Sequence, residues 1–446
     1  MIRPLWADEI FTLTLSRKSI PEIVAALRVD SGPPLHYLAA HVLLLPFPSP
    51  GAGDAIVRLL SLVASLLHLP LLVVVARRLG RPASSLTASA LFAIFPLAVA
   101  YAAEGRAYAL ASLFVLLAFE RALALRETPR LGVAAGLTFA AAGAVLTHYL
   151  AVFPVAALAI LAWDARPASR RALVLSGLGE AAIAAAWIPV AITQPRSSMA
   201  WSGGADFGGA LRDFPANLAF GAPAGSGAMT TLGAAGALLL AALLARAWQG
   251  AFAPAARVLG ISLALLAAAQ FAAGSLVLPE RTALVFLPFV ALLLADAPPA
   301  VPALAGTLSA ALFALWLPRA TEPSPGELLA RLLEAPARAG RRVLAAGYWG
   351  PELDYRLARA GAPGRVVFFP SAVAAHPGWY REEEITGARL ATEADAALAA
   401  PEPPTIFVLP RGSRASAALA LRLGPARRLL SSPLVDVVEI PAQRAR

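Results

Sequence analysis

Trp6-Ala7-Asp8-Glu9 puts two adjacent carboxylates almost at the start of a very hydrophobic chain. It is followed by Arg17-Lys18-Ser19-Ile20-Pro21-Glu22 and then by Asp30-Ser31-Gly32-Pro33-Pro34-Leu35-His36-Tyr37. An acidic pair, an amphipathic stretch and a Pro-Pro-Leu-x-Tyr turn make a polar segment that the apolar remainder can serve as a scaffold. Ser19 is placed to cap a short helix near Ile20–Val29, with Pro21 in its first turn and Glu22 at the capping-box position. The apolar run Leu35–Pro46 is too short to cross a bilayer, which takes about 20 residues. It reads as an interfacial or half-inserted helix.

Working outward, the chain is 59% hydrophobic and 14% charged, with mean hydropathy +0.69. Soluble domains carry about 25% charged residues, so most of this chain belongs in a bilayer. The net charge is +10 and comes almost wholly from Arg. Those Arg residues stand between apolar runs, the arrangement of topology signals and lipid headgroup contacts rather than of a nucleic-acid surface. Nucleic acid is therefore not an expected partner. With no Cys, disulfides and thiolate metal sites are excluded. The N-terminus has no pattern of a cleavable signal peptide.

The first span is expected at Ala55–Ala76, ending at Arg77-Arg78-Leu79-Gly80-Arg81, a cluster the positive-inside rule makes cytoplasmic. Residues 1–54 then lie outside the cytoplasm. Further spans are expected at Ser84–Ala100, Ala109–Leu125, Leu131–Leu146, Leu150–Trp163, Ala172–Thr193, Thr231–Leu244, Val258–Leu278, Ala283–Ala295 and Val301–Leu317, about ten in all. Arg clusters fall at alternate ends. The other ends carry Glu104 and Arg106, His148, a long Gly/Pro/Ser-rich loop with Arg196, Trp201, Asp206, Arg212 and Asp213, and Glu280-Arg281. After Pro318 the pattern changes to short strands near Arg342–Ala346, Val366–Phe369, Thr405–Leu409 and Val435–Ile440. Helices near Gly326–Leu333, Pro351–Arg359 and Ser413–Leu423 alternate with them, as in a small α/β domain. The expected organisation is a loop region over 1–54, a transmembrane domain over 55–318 and an extracytoplasmic α/β domain over 319–446. The last lacks phosphate-binding glycines and is expected to be structural or to dock an acceptor.

The acidic pair, the Pro-Pro-Leu-x-Tyr turn, Tyr101-x-x-Glu104-x-Arg106-x-Tyr108 and Glu280-Arg281 together resemble the loops of GT-C glycosyltransferases. These are polytopic α-helical enzymes that take sugars from polyprenyl phosphates. The likeness covers residues 1–317 and is strongest to the bacterial branch similar to protein O-mannosyltransferases and the aminoarabinose transferase of lipid A. It implies transfer of a sugar, with inversion, from a polyprenyl-phosphate donor to a lipid, polysaccharide or protein acceptor. The site would face outward from the bacterial inner membrane. By the resemblance Asp8 is the catalytic base, with Glu9 and Glu104 beside it. Arg106, Arg281 and Tyr108 take the donor phosphate, while His36, Tyr37, His148 and Tyr149 contact acceptor or sugar. No cofactor is expected; a divalent metal is compatible with the chemistry but has no ligand pattern here. Members of the family carry a transmembrane helix before the acidic loop, and Met1 leaves no room for it, so that helix is expected to be missing.

Each of these residues also has an ordinary reading: a solvated helix start for Asp8 and Glu9, a salt-bridged cap for Glu104 and Arg106, snorkelling for Arg281, and core packing for the His and Tyr residues. A secondary transporter or lipid-linked-sugar flippase would gather ionisable and helix-breaking residues at mid-membrane. Here the middles of the second to fifth spans are apolar and the charges gather at one face. A membrane scaffold without catalysis would not need acids and bases converging from separate loops.

Overall fold

The computed structural model describes all residues except 1–3, 49, 163–164, 195–206, 223–228, 274–279, 321, 376–384 and 441–446. The polar N-terminal segment folds as three short helices: α1 (Ala7–Ser16), α2 (Ile20–Leu27) and α3 (Leu35–Leu44). The start of α2 follows from its residues. Ser19 donates through N and Oγ to Glu22 Oε2, at 2.9 and 2.5 Å, closing a capping box.

Helical hairpins follow: α4 (Pro50–Arg78), α5 (Ser85–Ile94), α6 (Pro96–Ala102), α7 (Tyr108–Glu127), α8 (Leu131–Thr147), α9 (Val152–Ala157), α10 (Pro167–Ala185), α11 (Ile188–Ala191), α12 (Phe207–Phe220), α13 (Met229–Ala247), α14 (Ala253–Ala273), α15 (Leu287–Asp296) and α16 (Ala300–Ala320). Each of the expected apolar segments is largely helical, but not each is a simple rod. Among the described residues four helices are long and apolar enough to cross a membrane alone: α4, α7, α14 and α16. A bent pair, α5 with α6, would make a fifth if it is one span. The segment read as one span over Ser84–Ala100 bends by 65° between Ile94 and Pro96. Pro96 supplies no N–H and holds Phe95 in an extended conformation (φ −62°, ψ 123°), which ends α5. The segment expected at Leu150–Trp163 is a chain of 3-10 turns around α9 rather than a regular helix. The long loop contains an unexpected helix, α12, although Arg196, Trp201 and Asp206 lie outside the described residues. Gly236 lets α13 pass close to it, since a Cβ there would lie 2.5 Å from the Pro215 carbonyl oxygen.

At the centre stand α7 and α15. Every residue from Leu287 to Leu294 is buried, and Phe119 meets Phe289 edge-on at 5.2 Å. Outward-facing Leu62, Leu66, Phe139, Leu178, Leu238 and Leu304 are exposed, an apolar belt that suits lipid rather than water. At the Arg77–Arg81 end the fully buried Glu120 pairs with Arg78, 3.1 Å from its Nε, and with Arg121.

Beyond α16 lies a mixed sheet in the order β2-β1-β3-β5-β4, made of β1 (Val343–Ala346), β2 (Val366–Phe369), β3 (Ile406–Pro410), β4 (Arg427–Ser431) and β5 (Val435–Glu439). The first three are parallel; β5 runs antiparallel to β3, and β4 to β5. Helices α17 (Pro325–Glu334) and α18 (Trp349–Arg359) cover one face. Helices α20 (Gly387–Leu398) and α21 (Arg414–Ala420) cover the other, with α19 (Ala372–Ala375) a single turn after β2. Val343 and Ala345 face one layer while Leu344 and Ala346 face the other, which is why β1 reads as continuously apolar.

Candidate active site

Helix geometry separates the acidic pair. Successive residues of a helix lie about 100° apart, so Asp8 and Glu9 point to different places. The Asp8 side chain is 35% exposed. That of Glu9 is fully buried and gripped by Arg58, whose Nε and Nη2 each donate at 2.6 Å, one to each carboxylate oxygen. Gly105 N–H donates to the same carboxylate at 2.8 Å, and Trp6 N–H at 3.3 Å. Glu9 therefore ties α1 to α4 and to the turn between α6 and α7. Only glycine fits that turn easily, because a Cβ on Gly105 would come within 3.1 Å of Val57.

The α6–α7 turn brings Glu104, Arg106 and Tyr108 to α1. Arg106 Nη1 donates to the Asp8 carbonyl at 3.2 Å and to Thr12 Oγ1 at 3.4 Å. Its Nη2 lies 3.6 Å from Asp8 Oδ2, and Ser61 Oγ donates to its carbonyl at 3.0 Å. Burial opposes the Arg106 charge, yet Asp8, Tyr37, Tyr108 and Glu104 outweigh it and hold its pKa above the ordinary value. Glu104 itself is buried. Tyr108 meets Tyr101 edge-on at 5.2 Å and lies 5.2 Å from the His148 ring.

His36 and Tyr37, in the first turn of α3, close the site from the other side. Tyr37 packs edge-on against Phe11 at 5.8 Å. His36 is 1% exposed, and among the described residues its ring nitrogens make no well-formed hydrogen bond, the Gly105 backbone being the polar group that faces the ring. Burial, with Arg106 adding to it, lowers its pKa to about 3 against a weaker opposing influence of the Gly105 backbone, so the ring is neutral. Arg106 Nε and Trp6 Nε1 are likewise buried without a partner among the described residues. Buried polar atoms seldom stay unsatisfied, so a cluster of them beside Asp8 suits a polar ligand.

His148 and Tyr149 cap the outer end of α8. His148 Nδ1 accepts from Leu150 N–H at 3.3 Å. Tyr149 hydroxyl accepts from Trp187 Nε1 at 2.9 Å and donates to Gln194 Oε1 at 2.8 Å. Gln194 in turn donates to the Leu27 and Gly32 carbonyls, at 2.8 and 2.9 Å. Arg281 lies in a 3-10 turn over Glu280–Val285, and its side chain is outside what is described.

The sequence reading passed over three contributors. Asp30 lies in the turn held by Gln194. Burial raises its pKa, its bonds to Ser31 and the Arg106 charge oppose the rise, and Asp8 adds to it; it is thus a further buried carboxylate within electrostatic reach of Asp8 and Arg106. Arg58, an Arg near the start of an apolar span, was a visible signal, since such a charge is costly without a partner. Gln194 gave no signal, because its bonds span more than a hundred residues. Among the described residues no three His, Cys, Asp or Glu side chains converge to hold a metal.

No family model matches the chain, nor does any curated protein sequence. Solved structures do. The chain is similar to the crystal structure of ArnT from Cupriavidus metallidurans in the apo state, with TM-score 0.58 and 15% identity over 98% of this chain and 94% of that one. It is similar also to the crystal structure of that ArnT bound to undecaprenyl phosphate, with TM-score 0.51 and 14% identity over the same shares. The chain thus has the fold of these ArnT structures over nearly its whole length.

Proposed function

We propose that this protein transfers a sugar, with inversion, from a polyprenyl-phosphate donor to a lipid, polysaccharide or protein acceptor. The observation that carries the reading is a half-open carboxylate, Asp8, set against a buried cation, Arg106, at one end of an apolar bundle. Support comes from the fold, which is similar to that of a protein solved with undecaprenyl phosphate bound.

The chemistry follows from the groups at hand. The acceptor nucleophile attacks the anomeric carbon on the face opposite the phosphate, and its proton passes to the Asp8 carboxylate. The bond between that carbon and the phosphate oxygen breaks, and polyprenyl phosphate leaves with the added negative charge. Arg281 is assigned to stabilise that charge, a contribution largest where water is excluded, while Arg106, 3.6 Å from Asp8 Oδ2, holds the carboxylate on the acceptor side. The Asp8 carbonyl and Thr12 Oγ1 keep Arg106 oriented. The neutral, buried His36 and Tyr149 contact acceptor or sugar, while Tyr108 and His148 form the wall behind Arg106. No metal is assigned to this reaction. The site faces away from the cytoplasm, in the bacterial inner membrane.

The test is turnover. Purified protein in lipid nanodiscs, given a radiolabelled polyprenyl-phosphate sugar and cell-envelope acceptors, should move label into acceptor and release polyprenyl phosphate. If a panel of such donors bound but none turned over, the reading would be overturned.

A further inference from the structure

Helix α18 of the C-terminal sheet domain reaches into the membrane domain beside the acidic pair. The Arg356 side chain is 7% exposed. Its Nη2 donates to the Leu5 carbonyl at 2.8 Å, to Ser324 Oγ at 2.9 Å and to Glu352 Oε1 at 2.7 Å, and its Nε donates to the same Glu352 oxygen at 3.0 Å. Leu5 directly precedes Trp6, the residue at the N-cap of α1, and its side chain is buried. The first turn of α1 is thus held at two points: Arg356 takes the carbonyl before it, and Glu9 takes the Trp6 N–H.

Asp8 lies within that first turn, so a shift of the turn moves its carboxylate relative to Arg106. The two domains also sense one another electrostatically. Burial raises the Glu352 pKa, Arg356 opposes the rise, and Asp8 adds to it. The pair is packed against the N-terminus of α17, where Gly326 leaves it room: a Cβ there would come within 1.9 Å of Glu352 Oε1. Elsewhere on α18, Tyr355 hydroxyl donates to Asp54 and Arg359 lies 3.3 Å from that carboxylate, anchoring the helix to the start of α4.

We propose that Arg356, seated by Glu352, is a positioning residue for Asp8. The C-terminal domain then sets the geometry of the reacting carboxylate and is not only a platform for acceptors. This inference rests on the reading that Asp8 reacts.

Full-length protein in nanodiscs is compared with Arg356→Lys, with the pair Arg356→Met and Glu352→Gln, which leaves no unpaired buried carboxylate, and with Asp54→Asn, which loosens the same interface at another place. Two readouts are taken: transfer kinetics, and deuterium uptake of the segment 4–13. Misplacement by an ångström costs about 10²-fold in rate. The paired variant should lose about that in kcat with donor KM unchanged, and its segment 4–13 should exchange faster. Arg356→Lys should recover part of both, and Asp54→Asn should show neither change. Unchanged kcat and uptake in the paired variant, or an equal loss in Asp54→Asn, would overturn the assignment. Wild-type protein that transfers no sugar while its uptake still responds to Arg356 would refute the functional reading, and with it the catalytic role of Arg356, but not the contact.

Discussion

Asp8 and Glu9 differ by one position and by almost everything else. Glu9 is enclosed by Arg58, Gly105 and Trp6, and removing one member of a buried ion pair typically costs 3–5 kcal/mol because the other charge is stranded. Glu9→Ala should destabilise the protein by about 3–5 kcal/mol, read as loss of thermal stability in detergent; a change near zero would show that Arg58 finds another partner. His36 makes a pH prediction. Its pKa in the folded protein, about 3, lies below the 6.5 of an exposed imidazole. The unfolded chain therefore binds a proton over that window and the folded chain does not. The stability His36 contributes is present above about pH 6.5 and lost as pH falls toward 3. Relative to its own value at pH 7, His36→Phe should lose less stability at pH 4.5 than wild type. Equal losses would mean that the ring is hydrated and titrates normally. At this scale the sequence was informative about Asp8, Arg106, Tyr37 and Tyr108, since polar groups stand out in an apolar chain. It was silent on how the acidic pair divides its labour, because that depends on Arg58 and Gly105, which reach Glu9 from distant positions.

Among the elements, the helices were legible as apolar runs, and their breaks were less so. Pro96 lay inside a segment that reads as one span, yet hydropathy alone does not register a missing N–H. Helix α12 was hidden by Gly208, Gly209 and Pro215 in a stretch of low hydropathy. Helix α20, begun by a Thr386 cap that accepts from Arg389 N–H at 3.2 Å, was missed as an alanine-rich polar stretch, and β4 as an edge strand carrying Arg427 and Arg428. One distant side chain reinforces the backbone bonds of the turn between α2 and α3. Gln194→Ala takes the side-chain donor from the Gly32 carbonyl and leaves the Leu27 carbonyl only the Asp30 N–H, a loss of about 1–3 kcal/mol if the Gly32 carbonyl stays dry. The segment 27–34, which carries Asp30, should then exchange deuterium faster. Unaltered exchange would show that the turn holds itself.

For the whole molecule, the charge distribution was the clearest message in the sequence. Arg clusters at alternate ends support the proposed topology, in which the Arg77–Arg81 end would face the cytoplasm and both the α1 site and the sheet domain would face away from it. Reporter fusions after Arg81 should report cytoplasm, and fusions after Ala320 the opposite side; the reverse pair would invert the proposed site. What the sequence could not convey was the meeting of its two ends. Leu5 and Arg356 are brought together by the whole fold, so neither position carries a local sign of the other. The claim that most needs testing is that Asp8 is the base. Asp8→Asn keeps the size of the side chain and removes its ability to take a proton. In nanodiscs it should lower sugar transfer by about 10²–10⁴-fold while polyprenyl-phosphate donor still binds as tightly as to wild type. Full transfer by Asp8→Asn would contradict the account at its centre.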